Sequence, residues 1–366
     1  MLKGKSLTEM AQELERIAEQ RVDHIVPTST IKADLGKENK VQLNFQDADK
    51  QLVQVDLNNH SNGQVAGFTE IPSRYYQKLQ SENPGLLVDN INHGFERRSS
   101  SGRMVRTLDG TVRGFLSSSY RILDSHELLN TALPILLENE MEITSCQITE
   151  QRVYVKALSP KLKTDIKLKD RQVGDTLQYG LVISNSDVGA GSLRIEPMVY
   201  RLACLNGMIA PTAMRKYHTG RNQLEDEMYK LLAHETVEAD NKAFWLKVRD
   251  LILASMESVN FERQVEQIQN AAEEEIKTFK IEKLVDNAMR ATKITGDRKR
   301  DGILAALASG NEGAGLTKWG LINSFTKAAH QTPGISYEDS IEMERAGGKI
   351  LTLDKSQFRN IIPEAV

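Results

Sequence analysis

At 366 residues with 40% hydrophobic and 27% charged content, the chain is too long for one ordinary core and reads as two or three globular domains. A formal net charge of −3 excludes a uniformly basic nucleic-acid binder, and no apolar run approaches the roughly 18 residues of a membrane span. Two cysteines, Cys146 and Cys204, supply neither a disulfide framework nor a four-ligand zinc site, which points to a reduced, cytoplasmic protein.

Leu7, Met10, Ala11, Leu14, Ile17 and Ala18 recur at helical spacing behind Ser6, with Glu9 at the capping-box position. This first element reads as an amphipathic helix and not a signal peptide, because charges interrupt its apolar clusters. Two alternating runs in "KVQLNFQDADKQLVQVDLNN" predict a hairpin. In "TEIPSRYYQKLQSENPGLL", Pro72 marks a helix start and Pro84 its end. Asp109-Gly110 is a two-residue turn between "MVRTL" and "TVRGFL". A helix capped by Ser125 follows, then a hairpin from "EITSCQIT" and "RVYVKALS", then a Lys-rich connector, "PKLKTDIKLKDRQVG".

The next hairpin, Ser184 to Met208, contains an irregularity. Leu193, Ile195 and Val199 alternate with Arg194 and Glu196, yet Arg201 falls on the apolar side. Proline has no N–H for a ladder, so Pro197 predicts a bulge that exchanges the two faces. Met198, Tyr200, Leu202 and Cys204 would then continue the buried face, and Arg201 would join Arg194 outside. The alternative keeps the register and buries Arg201 against a carboxylate.

From Gln223 to about Arg290 the sequence is helical, polar and free of glycine, with a break near Asn260. "SGNEGAG" reads as a loop, "LTKWGLINSFTKAA" as a helix, and Gly347-Gly348 as the end of a further helix. The expected class is α+β: an antiparallel, hairpin-rich sheet backed by helices, followed by a mostly helical C-terminal region. The expected divisions are an N-terminal α+β region 1–90, a basic hairpin-rich core 91–221 and a helical region 222–366.

Catalytic and metal chemistry find no ordered motif. The seven histidines are dispersed, His234-Glu235 lacks the second histidine of a zincin helix, and no metal or cofactor is expected. Ser117 to Ser119 lie near Asp124 and His126, but that stretch is better explained by a helix cap. "DVGAGS" joins strands and "ASGNEGAGLTK" lacks the Gly-Lys-Ser/Thr ending, so neither is a phosphate loop. A metal-dependent nucleic-acid enzyme would have to use dispersed carboxylates such as Asp187 and Glu196.

Charge distribution is more informative. Residues 92–221 hold 18 Lys/Arg against 13 Asp/Glu, whereas residues 222–283 hold 8 against 14. Arg97, Arg98, Arg103, Arg106, Arg113 and Arg121 are interleaved with Phe115 and Tyr120, a pattern suited to phosphate contact and base stacking. Arg106 and Arg113 sit at comparable distances from the turn, so they pair unfavourably unless an anion or carboxylate lies between them. A solvated hairpin partnered by Asp109 and Glu96 accounts for the same residues. Arg215, Lys216, His218 and Arg221 form a second cluster, and its Arg215, Lys216 and Arg221 with Arg194 and Arg201 complete the candidate nucleic-acid-binding set. "KITGDRKRDG" reads as an exposed connection between helices.

The stretches "DHIVPTSTI", "IPSRYYQKL", "RTLDGTVRGFLSSSYRILDS", "LVISNSDVGAGSLRIEPMVYRLACLNGMI" and "LTKWGLINSFTKAA" resemble the phage- and plasmid-associated domain-of-unknown-function family 932. The resemblance implies a mobile-element gene and carries no activity or catalytic residues with it. With the basic hairpins, it leads to the expectation of a non-enzymatic nucleic-acid-binding protein in the bacterial host cytoplasm. Single-stranded DNA is the favoured ligand, held by a homo-oligomer that acts in annealing, recombination or replication. The other expectation is a regulator or counter-defence factor that binds a host protein through the acidic helices.

Overall fold

The computed structural model describes residues 4–167, 175–202, 206–210, 214–216, 233–309 and 316–363. Helix α1 (Leu7–Gln20) begins at Ser6, and the capping box with Glu9 is formed. β1 (Val22–Pro27), β2 (Lys32–Leu35), β3 (Val41–Gln46) and β4 (Leu52–Leu57) follow. Three helices come next: α2 (Asn59–Phe68), α3 (Ser73–Glu82) and α4 (Pro84–Arg97). Pro84 occupies the first turn of α4, where its missing N–H costs nothing. β5 (Gly102–Leu108) and β6 (Thr111–Ser117) form the expected hairpin, with Asp109 and Gly110 at φ 51° and 72°.

These strands make one six-stranded sheet in the order β1-β5-β6-β4-β3-β2, antiparallel except where β4 meets β6. Helices α2 to α4 cover its inner face, burying Phe45, Val65, Leu87, Ile91, Phe95 and Phe115. The hairpin expected to open a separate basic core therefore lies in the middle of the first sheet. The expected boundary at residue 91 falls within α4.

After α5 (Ser125–Glu138) come β7 (Glu142–Ile148), β8 (Val153–Ile166), β9 (Asp175–Asn185), β10 (Leu193–Arg201), β11 (Asn206–Ile209) and β12 (Met214–Lys216). They form a second antiparallel sheet, β11-β10-β9-β8-β7, with β12 paired to β10. The Lys-rich connector begins as the outer half of β8, where exposed Lys161, Lys163 and Asp165 alternate with half-buried neighbours, and its residues 168–174 lie outside the described residues. Asp124, not Ser125, stands at the cap of α5, and its carboxylate is drawn away to Arg106.

The helical region comprises α6 (His234–Ser255), α7 (Ser258–Glu273), α8 (Ile281–Thr292), α9 (Asp297–Ala308), α10 (Lys318–Gln331), α11 (Tyr337–Leu351) and α12 (Lys355–Ile361). No described helix is long and apolar enough to cross a membrane. Buried α10 carries Trp319, Leu321, Ile322 and Phe325 into the larger core, which also takes Met10 and Leu14 from α1. Helix α11 runs through Gly347-Gly348 instead of ending there. A Cβ at Gly348 would lie 1.9 Å from the Ile209 carbonyl oxygen, so the glycine permits helix-to-strand backbone contact.

The second sheet is covered on both faces. Tyr179, Leu181, Ile183, Ile195 and Val199 point into the larger core, whereas Tyr154, Val182, Met198 and Tyr200 pack with Ile341 of α11. The bulge at Pro197 does not exist. The register with β9 runs unbroken from Arg194 opposite Ser184 to Arg201 opposite Leu177. The Pro197 carbonyl accepts from the Ala210 amide, so the proline nitrogen faces the same edge, where β11 has ended at Ile209. Arg201 is 2% exposed, with Nε and Nη2 at 2.6 and 2.7 Å from the two oxygens of Asp175. Arg194 and Arg201 lie on opposite faces.

Candidate anion-binding cleft

The arginines singled out in the hairpin are placed mostly inside the protein. Arg106, 1% exposed, contacts both oxygens of Asp23 at 2.8 and 3.0 Å and Asp124 at 3.0 Å, and it donates to the Asp187 carbonyl at 2.7 Å. Burial pulls its pKa down, but Asp124 and Asp23 raise it above the ordinary arginine value. Arg106 faces Gly114 and Thr107 faces Val112, so Arg113 is the extra residue of a bulge. The two arginines meet one residue through different groups: Arg113 Nη2 lies 3.9 Å from Asp187 Oδ2, while Arg106 donates to the Asp187 main-chain carbonyl. Asp187 Oδ1 in turn accepts from the Ser125 amide and hydroxyl at 2.9 and 2.5 Å.

Phe115 is a core residue, and Arg103 lies over the rings of Phe68 and Phe115 at 4.5 and 4.8 Å. Burial lowers the Arg103 pKa to about 10. Tyr120 is buried and donates to the Ser186 carbonyl at 3.1 Å. Arg121 pairs with Asp240 at 2.8 Å and lies over Phe244, while Arg97 and Arg98 flank Glu70. Arg106, Phe115, Tyr120 and Arg201 thus form no outer surface. Their partners come from distant segments that close over them, as Asp23 does for Arg106. The backbone pairs Arg194 with Arg215 and Leu193 with Lys216, and Arg221 lies outside the described residues.

Arg194 belongs to a different constellation. A cleft of about 330 Å³ opens between the start of β8, the turn into β10, the residues after α8 and one side of α11. Arg152, Arg194, Lys293, Arg345 and Lys349 line it, with Glu338 and Glu342 as acidic members. Arg152 is 7% exposed and has no carboxylate within 4.0 Å among the described residues. It donates instead to neutral oxygens: the Ser192 carbonyl at 2.6 Å, Ser184 Oγ at 3.2 Å and the Ala190 carbonyl at 3.3 Å. Among the described residues its Nε is buried without a partner, and burial lowers its pKa.

Glu196, buried in β10, accepts from Arg345 Nε and Nη2 at 2.8 and 2.5 Å and lies 4.0 Å from Arg194 Nη1. Burial pulls the Arg345 pKa down, but its bonds to Glu196 more than restore it. Lys349 Nζ donates to the Ala291 carbonyl at 2.7 Å, fastening α11 to the end of α8. Lys293 follows that end in a left-handed conformation, φ 65°. Fixed guanidinium forks and ammonium groups around an open cleft suit an oxyanion.

Of the cleft cations, the candidate set included Arg194, and Lys293 lay within the "KITGDRKRDG" connection. Arg152, Arg345 and Lys349 were missed, because they come from segments with no common spacing. Asp187 and Glu196, considered as dispersed metal ligands, are tied to Ser125 and Arg345 respectively. No group of three or more His, Cys, Asp or Glu able to hold a metal occurs among the described residues.

A family model described as "Domain of unknown function (DUF932)" matches residues 112–346, which includes all of the cleft except Lys349. No curated protein and no solved structure matches the chain.

Proposed function

The chain belongs to the domain-of-unknown-function family 932, and we propose that it is a nucleic-acid-binding protein whose contact surface is the cationic cleft rather than the arginine hairpin. Arg152 carries this reading: a buried guanidinium with no carboxylate within 4.0 Å among the described residues lines a cleft rimmed by further cations. A buried charge without a close ion pair is costly, and a phosphate in the cleft offsets that cost. A volume of about 330 Å³ lies at the small end of ligand sites. It suits a piece of unpaired strand better than the body of a duplex, so single-stranded DNA is the proposed ligand. Cytoplasmic location, a mobile-element origin and an annealing role in a homo-oligomer are extensions of this proposal. Strand-annealing and mass measurements test the last of these.

The test is fluorescence anisotropy with a labelled single-stranded oligonucleotide over a salt titration. If about three phosphates are engaged, log affinity falls with log salt at a slope near −2. Lys293→Asn combined with Lys349→Gln flattens the slope, whereas Arg97→Gln combined with Arg98→Gln leaves it unchanged. Absence of binding at low ionic strength refutes the proposal.

One observation favours the second reading, docking of a host protein on the acidic helices. Leu246 and Leu253, two turns apart on α6, are both exposed, as is Val259. Co-purification of one host protein after nuclease treatment, lost in Leu246→Ser/Leu253→Ser, would support it.

A further inference from the structure

We infer that the cleft contains a subsite, centred on Arg152, for a single terminal phosphate, a phosphate monoester. This rests on the nucleic-acid reading above and names the part of the strand that enters. The first support is the way Arg152 is held. Its Nη atoms are fixed by Ser184 and by two carbonyls of the turn into β10, and Nε has no partner among the described residues. The turn approaches so closely that a Cβ at Gly191 would lie 2.5 Å from Nη1, and φ at that glycine is +137°. A guanidinium fixed by neutral acceptors keeps its full positive charge in a poorly solvated place.

The second support is the charge count. Arg152, Arg194, Lys293, Arg345 and Lys349 face Glu338 and Glu342, and Glu196 lies behind Arg345. Five cations against three carboxylates give these residues a formal charge of +2. A backbone phosphodiester brings one negative charge, whereas a phosphate monoester brings about −1.5 to −2 at pH 7. Orientation is the third support. Glu196 fixes the Arg345 fork, and Lys349 is held on the Ala291 carbonyl, so the cleft reaches its binding shape before any ligand arrives.

The chemistry recognised is the phosphate monoester, which a strand end, a mononucleotide or free phosphate could supply. The experiment uses the full chain and one single-stranded oligonucleotide in three forms: 5′-phosphorylated, 3′-phosphorylated and hydroxyl-ended. Inorganic phosphate and a mononucleotide serve as competitors. One phosphorylated form is expected to bind about tenfold tighter than the hydroxyl-ended strand. Arg152→Gln should remove that increment and Lys349→Gln should reduce it several-fold, the second covering the case in which the first fails to fold. Inorganic phosphate should compete away the increment alone.

If all three forms bind equally, yet binding still falls in Lys293→Asn/Lys349→Gln, the subsite is refuted and the nucleic-acid reading stands. If no oligonucleotide binds but inorganic phosphate raises the unfolding temperature, and Lys349→Gln weakens that effect, the strand reading fails and the phosphate subsite stands. If neither oligonucleotide nor phosphate has any effect, both are refuted.

Discussion

Lys156 Nζ lies 2.7 Å from each carboxylate oxygen of Glu344, and both side chains are sealed from solvent between β8 and α11. His330 of α10 approaches the same carboxylate, with Nε2 at 2.8 Å from Oε1. The three side chains tie the outer face of the second sheet to two helices from the far end of the chain. Removing one partner leaves a buried charge alone, which costs about 3–5 kcal/mol, whereas replacing both with apolar residues of similar size is often neutral. Lys156→Met should therefore lower the urea midpoint sharply, and Lys156→Met/Glu344→Leu should recover most of it. Equal losses in the single and double variants would show that the pair itself is stabilising.

The same carboxylate gives a pH dependence. Burial raises the Glu344 pKa, but the Lys156 charge and His330 outweigh it and hold it below the ordinary glutamate value. A depressed folded pKa contributes stability that is fully present above the unfolded value of about 4.3 and is lost as pH falls through the folded value. Glu344→Gln should thus lose stability at neutral pH and respond less to acid below about pH 4. Urea titrations from neutral to acid pH of parent and variant read the difference directly.

Arginines that look alike in the sequence should differ in their effect on stability. Arg106→Ala strands Asp23, leaves buried Asp124 with Arg21 alone and should cost about 3–5 kcal/mol. Arg98→Ala breaks an exposed pair with Glu70 and should cost at most about 1 kcal/mol. Chemical denaturation of the two variants side by side tests the ranking, and equal losses would contradict the placement of Arg106.

Glycines offer a contrast that depends on backbone alone. Gly348→Ala drives a methyl into the Ile209 carbonyl and should prevent α11 from docking, seen as loss of cooperative unfolding. Gly67→Ala in α2 meets nothing within 4 Å and should stabilise by about 0.4–1 kcal/mol.

Local chemistry made part of this fold legible in the sequence. The capping box at Ser6, the Asp109-Gly110 turn and the hairpins on either side of Glu150 and Gly191 all form as their residues specify. The errors share one cause. The exchange of faces at Pro197 assumed a sheet with one wet face, but α11 covers the other, so Met198 and Tyr200 needed no bulge to be buried. The partner of Arg106 lies 83 positions away, and Arg345 meets Glu196 across 149. Gly347-Gly348 carries the composition of a helix end, and only the approach of β11 shows that it is a packing surface. The cleft could not be read locally for the same reason: its cations converge only once both sheets and the last helices are in place.

The larger core takes Met10, Leu14 and Ile17 from α1 and Phe358 and Ile361 from α12, yet the whole first sheet lies between α1 and α5 in the chain. A ribosome releasing this chain delivers every strand of the first sheet by Ser117, while α1 waits for α5 and β7, more than 100 positions downstream, and the rest of its core for the last helices. The two halves should therefore mature at different times during synthesis, the first sheet early and the larger core late. In that interval the apolar stripe of α1 is the surface most in need of a chaperone.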